Sequence, residues 1–145
     1  MAKSKLYVAY GSNLNLAQMA HRCPTAKVVG VGKLKDYQLT FRSVATIEPV
    51  KGAETPVGVW EITPHDEQSL DIYEGYPRMY RKETVEVEMH DGTMRQAMVY
   101  IMNGGEARLP SIYYYDTIRE GYKDVGIDEK YLHDALIDTK NRMGL

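Results

Sequence analysis

Apolar and polar positions recur with two periods along this chain, and the changes of period mark its elements. Leu6, Val8 and Tyr10 alternate with Tyr7 and Ala9, so both faces of the first run are apolar, the pattern of a strand covered on two sides. The run ends at Gly11-Ser12-Asn13, and a helical pattern over Asn15–Arg22 follows until Pro24 stops it. Residues 26–42 read as a long β run in which Gly30 and Gly32 mark a bulge or strong bend. Tyr37, Leu39 and Phe41 there alternate with Gln38, Thr40 and Arg42, which predicts one wet face. A brief strand over residues 45–49, a polar loop through Gly52 and a strand over residues 55–62 come next.

Thr63-Pro64-His65-Asp66 opens a helix, with Thr63 as N-cap, Pro64 at its first position and an acid three residues after the cap. Gly75 is its natural left-handed stop. Residues 81–90 and 94–102 form a hairpin about Asp91-Gly92. Ser111 and Asp128 begin two further helices, one with Ile112, Tyr115, Ile118 and Tyr122 at helical spacing, the other with Tyr131, Leu132, Ala135 and Leu136. About six strands and four helices in no strict βαβ order predict an α+β fold: a small, mixed, mostly antiparallel β-barrel with peripheral helices.

Composition narrows the function. A chain of 145 residues is expected to form a single domain, residues 1–145, with a real core. Its net charge of −2, without a Lys/Arg cluster, argues against nucleic acid. No apolar run reaches the length of a membrane span, and the N-terminus lacks a signal-peptide core. Cys23 has no second cysteine to pair with, which fits a reducing compartment, so a cytoplasmic protein is expected. Twelve tyrosines against one phenylalanine and one tryptophan suit a barrel whose interior needs hydroxyl groups.

Two stretches could carry chemistry. A strand turning sharply into a helix start, as at Tyr10-Gly11-Ser12-Asn13, leaves backbone N–H groups without intrahelical partners and can hold an anion or an oxyanion. An ordinary turn with Gly for the bend and Asn as cap has the same sequence. Glu74 is the sharper anomaly. It shares a helix face with Leu70 and Tyr73, both expected to point inward, and it occupies the last turn, where the helix dipole disfavours a carboxylate. Burial and dipole together should raise its pKa. A solvated glutamate at a frayed helix end is the competing reading. Tyr76 and Tyr80 would supply hydroxyls nearby, and Arg78 or Arg81 is either a substrate-carboxylate ligand or a solvated strand-edge residue. The scattered His21, Cys23, His65, His90 and His133 have no zinc-ligand spacing. Ser12 lacks the surroundings of a nucleophile, Gly30-Val31-Gly32 lacks those of a phosphate loop, and Met89, Met94, Met98 and Met102 read as core filler.

Residues 7–14, YVAYGSNL, with residues 70–77, LDIYEGYP, and Tyr80-Arg81 downstream, resemble the γ-glutamyl cyclotransferase family. Residues 45–49 and 57–62 resemble the family's strands, and Pro110-Ser111 followed by Tyr113, Tyr114 and Tyr115 resembles its later tyrosine-bearing stretch. The resemblance implies the family's small barrel and a cyclisation without cofactor or metal, releasing 5-oxoproline from a small γ-glutamyl substrate. It implies Glu74 as the general acid/base. It further implies substrate contacts from Tyr7, Val8, Ala9, Tyr10, Gly11, Ser12, Asn13, Tyr80 and either Tyr114 or Tyr115. Spacing from Pro110-Ser111 and from Gly121 favours Tyr114, but one slip would make it Tyr115. A γ-glutamylamine or γ-glutamyl-metabolite cyclotransferase would differ in its leaving-group loops, expected near residues 51–55 and 103–109. A non-catalytic module on the same fold is the third reading. A monomer and a homodimer are both compatible with the sequence.

Overall fold

Five strands close a barrel in the order β1-β3-β2-β4-β5. They are β1 (Lys5–Ala9), β2 (Lys27–Arg42), β3 (Val44–Ile62), β4 (Tyr80–Met89) and β5 (Met94–Met102), with helices α1 (Leu16–Arg22), α2 (Pro64–Glu74), α3 (Ile112–Val125) and α4 (Lys130–Arg142). The computed structural model describes residues 4–145. Every pairing is antiparallel except the closing one, where Tyr7 of β1 lies parallel to Met98 of β5.

The expected sixth strand is absent among the described residues because β3 runs through what reads as a polar loop. Tyr37 pairs with Pro49 and Lys35 with Glu54, so residues 50–53 bulge opposite Asp36. Gly52, at φ 86°, donates its N–H to the Asp36 carboxylate at 2.8 Å, which keeps the long ribbon continuous across the irregularity. At Gly32 the β4 backbone passes so close that a Cβ would lie 2.6 Å from the Glu88 carbonyl oxygen. Only glycine lets β4 reach β2 there.

The expected wet face of β2 is only partly wet: Gln38 and Arg42 are half-buried, and Thr40 is buried. Helix α4 packs on β2, where the Phe41 N–H donates to Thr139 Oγ1 at 3.3 Å. Of the four hairpin methionines, Met89, Met98 and Met102 are buried, but Met94 is half exposed because it opens β5 at the hairpin tip.

Helix α2 obeys its local signals. Thr63 and Asp66 form a reciprocal capping box, Pro64 opens the helix, and Gly75 closes it at φ 66°. The Asp66 carboxylate also accepts from Thr25 Oγ1 at 2.7 Å, tying the helix start to the segment after α1. Leu70 is fully buried beneath the helix. At the far end, α3 lies flush on the β1 corner. A Cβ on Gly121 would come within 2.6 Å of the Asn15 nitrogen, and Asn15 donates to the Thr117 carbonyl at 3.1 Å.

Candidate active site

The β1 corner, the end of α2, the start of β4 and the first turn of α3 meet around a pocket of about 90 Å³. After Ala9 the chain makes a one-turn 3₁₀ helix, Ser12–Leu14, with Leu14 N–H donating to the Gly11 carbonyl at 3.0 Å. The N–H groups of Ser12 and Asn13 precede the first carbonyl that turn can offer, so they remain free of intrahelical partners. Gly11, Ser12 and Asn13 all line the pocket. Gly11 sits where a Cβ would be 3.3 Å from the Ala45 methyl and 3.4 Å from the Tyr114 hydroxyl.

Tyrosines form most of the remaining wall. Tyr7, Tyr10, Tyr80 and Tyr100 are buried and reach the pocket from β1, the residue just after it, β4 and β5. Their hydroxyls are fixed by the barrel: Tyr7 accepts from Asn13 Nδ2 at 2.9 Å, and Tyr10 donates to the Tyr100 carbonyl at 2.6 Å. Tyr80 donates to the Ala45 carbonyl at 2.7 Å, and Tyr100 to the Asp71 carboxylate at 2.6 Å. Tyr114 arrives from α3 and accepts the Ala45 N–H at 3.0 Å. Burial pushes the pKa of all five upward, so these hydroxyls stay neutral.

Glu74 projects into this tyrosine-walled space from the last turn of α2, half-buried and lining the pocket. Desolvation pushes its pKa from 4.5 up to about 7, against a smaller lowering by Arg22. Its neighbour Tyr73 does not point inward as the helical face predicts. It is 43% exposed at the rim, with its hydroxyl 2.8 Å from Ser12 Oγ and the Arg22 guanidinium stacked 3.5 Å from its ring centre.

Most of the residues expected at the site meet here: Tyr7, Val8, Tyr10, Gly11, Ser12, Asn13, Glu74, Tyr80 and Tyr114. Ala9 and Tyr115 do not line the pocket. Ala9 is buried in β1, and Tyr115 packs against Phe41 with ring centres 6.2 Å apart. Tyr76 also lies outside, its ring beneath the Lys82 ammonium at 4.2 Å. Arg81 pairs with Glu83 at 2.5 Å, and neither it nor the exposed Arg78 lines the pocket. Val44, Ala45, Tyr73, Met79 and Tyr100 belong to the lining without having been expected there. Val44 and Ala45 were findable in principle, since a second strand must face β1 across any pocket at its end. Residues 51–55 lie along the β2–β3 ladder rather than at this mouth, with Thr55 Oγ1 donating to the Tyr37 carbonyl at 2.8 Å. Asn103 is closer: it donates to the Pro77 and Arg78 carbonyls at 2.8 and 2.9 Å, bracing the loop that carries Met79.

Cys23 is buried, and desolvation raises its thiol to about 11, in keeping with a structural residue. Among the described residues no three His, Cys, Asp or Glu side chains cluster as a metal site, and no helix is long and apolar enough to cross a membrane.

A small barrel whose strand-to-turn corner faces a protonatable glutamate across a tyrosine wall defines a class of protein, and comparison places the chain within it. Residues 7–122 match the family described as gamma-glutamyl cyclotransferase, AIG2-like. The chain belongs to that family. It is 32% identical to the gamma-glutamylcyclotransferase of Homo sapiens over 142 residues, covering 89% of this chain and 76% of the human protein. The gamma-glutamylcyclotransferase of Mus musculus is 30% identical over 139 residues, covering 87% and 74%. A solved structure named gamma-glutamyl cyclotransferase superposes with a TM-score of 0.83 at 30% identity, covering 92% of this chain and 86% of its own. Its barrel and helices are those described above.

Proposed function

We propose that this chain, one domain over residues 1–145, cyclises a small γ-glutamyl compound to 5-oxoproline, with Glu74 moving the protons. The observation that carries the reading is the position of Glu74: a carboxyl raised to about 7 at the edge of a pocket whose other wall is the Gly11-Ser12-Asn13 corner. A general base near the working pH holds the best balance between being ionised and being able to take a proton.

The reaction is intramolecular. Ionised Glu74 takes a proton from the substrate's α-ammonium, and the freed amine attacks the γ-carbonyl carbon. A C–N bond forms, and the carbonyl oxygen takes up the negative charge. Collapse of that intermediate breaks the bond to the leaving nitrogen, to which protonated Glu74 returns its proton. The ring nitrogen, left with two protons by the attack, gives one up to the departing amine, so the products are the neutral lactam and an ammonium. The N–H groups of the corner hold the γ-glutamyl carboxylate or the oxyanion. Tyr7, Tyr10, Tyr80 and Tyr114 shape the cavity around the glutamyl unit, with Val8 beneath it. The enclosed geometry favours the folded conformation of the substrate that places amine and carbonyl together. Nothing in these steps requires a cofactor or metal.

The leaving group is an amino acid or an amine. Tyr73, Met79 and Val44, which line the pocket beyond the glutamyl wall, are uncharged, with the Arg22 guanidinium stacked on Tyr73 at the rim. The single buried cysteine fits a reducing, cytoplasmic setting, and the charge balance fits a small substrate rather than nucleic acid. A panel of γ-glutamyl amino acids and γ-glutamylamines, scored for 5-oxoproline release, tests the reading. Turnover of at least one member is expected. Tight binding of 5-oxoproline with no turnover of any would establish a non-catalytic module instead.

A further inference from the structure

Arg22 is bound on three sides by neutral partners at the rim of the pocket. Its Nη1 donates to Asn13 Oδ1 at 2.5 Å and its Nη2 to Gln18 Oε1 at 2.6 Å, while its guanidinium plane covers the Tyr73 ring at 3.5 Å. Gln18 lies one turn back on α1, so the side chain is held by its own helix before it reaches across to the other two. It also ends α1, where the helix dipole favours a cation. Asn13 belongs to the corner and donates to Tyr7. Tyr73 precedes Glu74 in α2 and touches Ser12.

We propose that Arg22 is a positioning residue for the cyclisation, a clamp that holds the anion-binding corner and the Glu74-bearing end of α2 in register through Asn13 and Tyr73. The proposal rests on the reading above. A rigid planar fork suits this task, since one face stacks while the edge donates in two directions.

The clamp has an electrostatic consequence. The titratable groups facing Glu74 are Tyr7 from β1, Tyr10 just after it, Tyr80 from β4 and Tyr114 from α3, all neutral, and Arg22 from α1. Arg22 is therefore the charge that keeps Glu74 ionisable in a site that otherwise favours the neutral acid.

Two variants separate geometry from charge. Arg22→Gln removes both, whereas Arg22→Lys keeps the charge and loses the fork and the stacked plane. The clamp predicts kcat on a γ-glutamyl amide lowered about tenfold or more in both, with the acid limb of kcat/KM moving to higher pH in Arg22→Gln alone. Titration of the Glu74 carboxyl by carbon NMR in the free protein should show the same upward move without any turnover. A move there, with no 5-oxoproline from the parent protein, would leave the clamp standing and the cyclisation reading refuted. A midpoint that stays put in Arg22→Gln, even with lower Tm and lower activity, makes Arg22 merely structural and overturns the proposal. If Arg22→Gln does not fold, Arg22→Lys decides: lowered kcat at an unmoved midpoint supports the clamp, and parental kcat overturns it.

Discussion

Two of the openings in this barrel set their glutamates in opposite surroundings, and the larger of the two places its carboxylates against cations. The groove beside β2 and β4 encloses about 270 Å³, three times the Glu74 pocket, and carries Lys33, Glu54, Glu88, His90 and Tyr131. Its carboxylates meet cations directly: Lys35 lies 3.0 Å from Glu88, and Lys33 lies 3.5 Å from Glu54 and 3.6 Å from Glu88. These bonds hold the Glu88 carboxyl below its ordinary range. Water and lysines leave it a permanent anion with no proton to trade. Glu74 has no cation within ion-pair distance among the described residues, and burial among tyrosines leaves it balanced between its two forms. Confinement among neutral groups, rather than charge density or volume, makes a carboxyl useful for proton transfer.

The contrast is tested hardest at Glu74 itself. Glu74→Gln should lower kcat/KM by about 10²–10⁴-fold, measured as 5-oxoproline release. It should also stabilise the protein, and more so at higher pH. In the folded parent the carboxyl ionises near 7, against 4.5 as its ordinary value. Below about pH 4.5 the group is protonated in both states and costs nothing. Between about pH 4.5 and 7 the unfolded chain releases its proton before the folded one, so folding is increasingly disfavoured, by up to about 3 kcal/mol above pH 7. Matched thermal melts at pH 5 and pH 8.5 should therefore show the Gln variant gaining on the parent by clearly more at the upper pH. A Tm difference no larger at pH 8.5 than at pH 5 would mean that Glu74 is not confined as described.

A smaller effect separates the two neighbouring tyrosines of α3. Tyr114→Phe leaves the buried Ala45 N–H without its acceptor, which should cost about 1–3 kcal/mol by denaturant unfolding and raise KM. Tyr115→Phe should do neither, since its ring packs on Phe41 outside the pocket. Smallest of all, Glu88→Gln should leave kcat/KM at the parental value and barely move Tm, because its partners are solvated lysines. A loss of activity there would make the outer groove part of the site.

What could be read from the residue order depended on range. The capping box of α2, its glycine stop and the misplaced Glu74 are signals within a dozen residues, and each appears where the local chemistry puts it. The corner at Gly11-Ser12-Asn13 is local as well. The barrel's closure was legible only as a class, because which strand lies beside β1 depends on pairings across some ninety residues. Tyr73 was misread because helical spacing assigns one inward face, whereas a helix end beside a pocket is drawn by Ser12 on one side and Arg22 on the other. Arg22 gave no signal of its own: a basic residue in the last turn of a short helix is what the dipole favours anyway. Its importance comes from Tyr73, fifty-one positions later, which no periodicity connects to it.

The parallel contact between Tyr7 and Met98 also sets an order of events in time. Of the elements that build the site, β1 comes first along the chain, yet its neighbours in the barrel, β3 and β5, follow long after it, and α3 seats Gly121 against the corner later still. At translation rates of about 5–20 residues per second, the corner waits roughly 5 to 20 s on the ribosome before it can be enclosed. A nascent chain has Tyr10-Gly11-Ser12 from the start and Glu74 midway, but no pocket until the last third of the protein has emerged. The site is therefore among the last features of the molecule to exist.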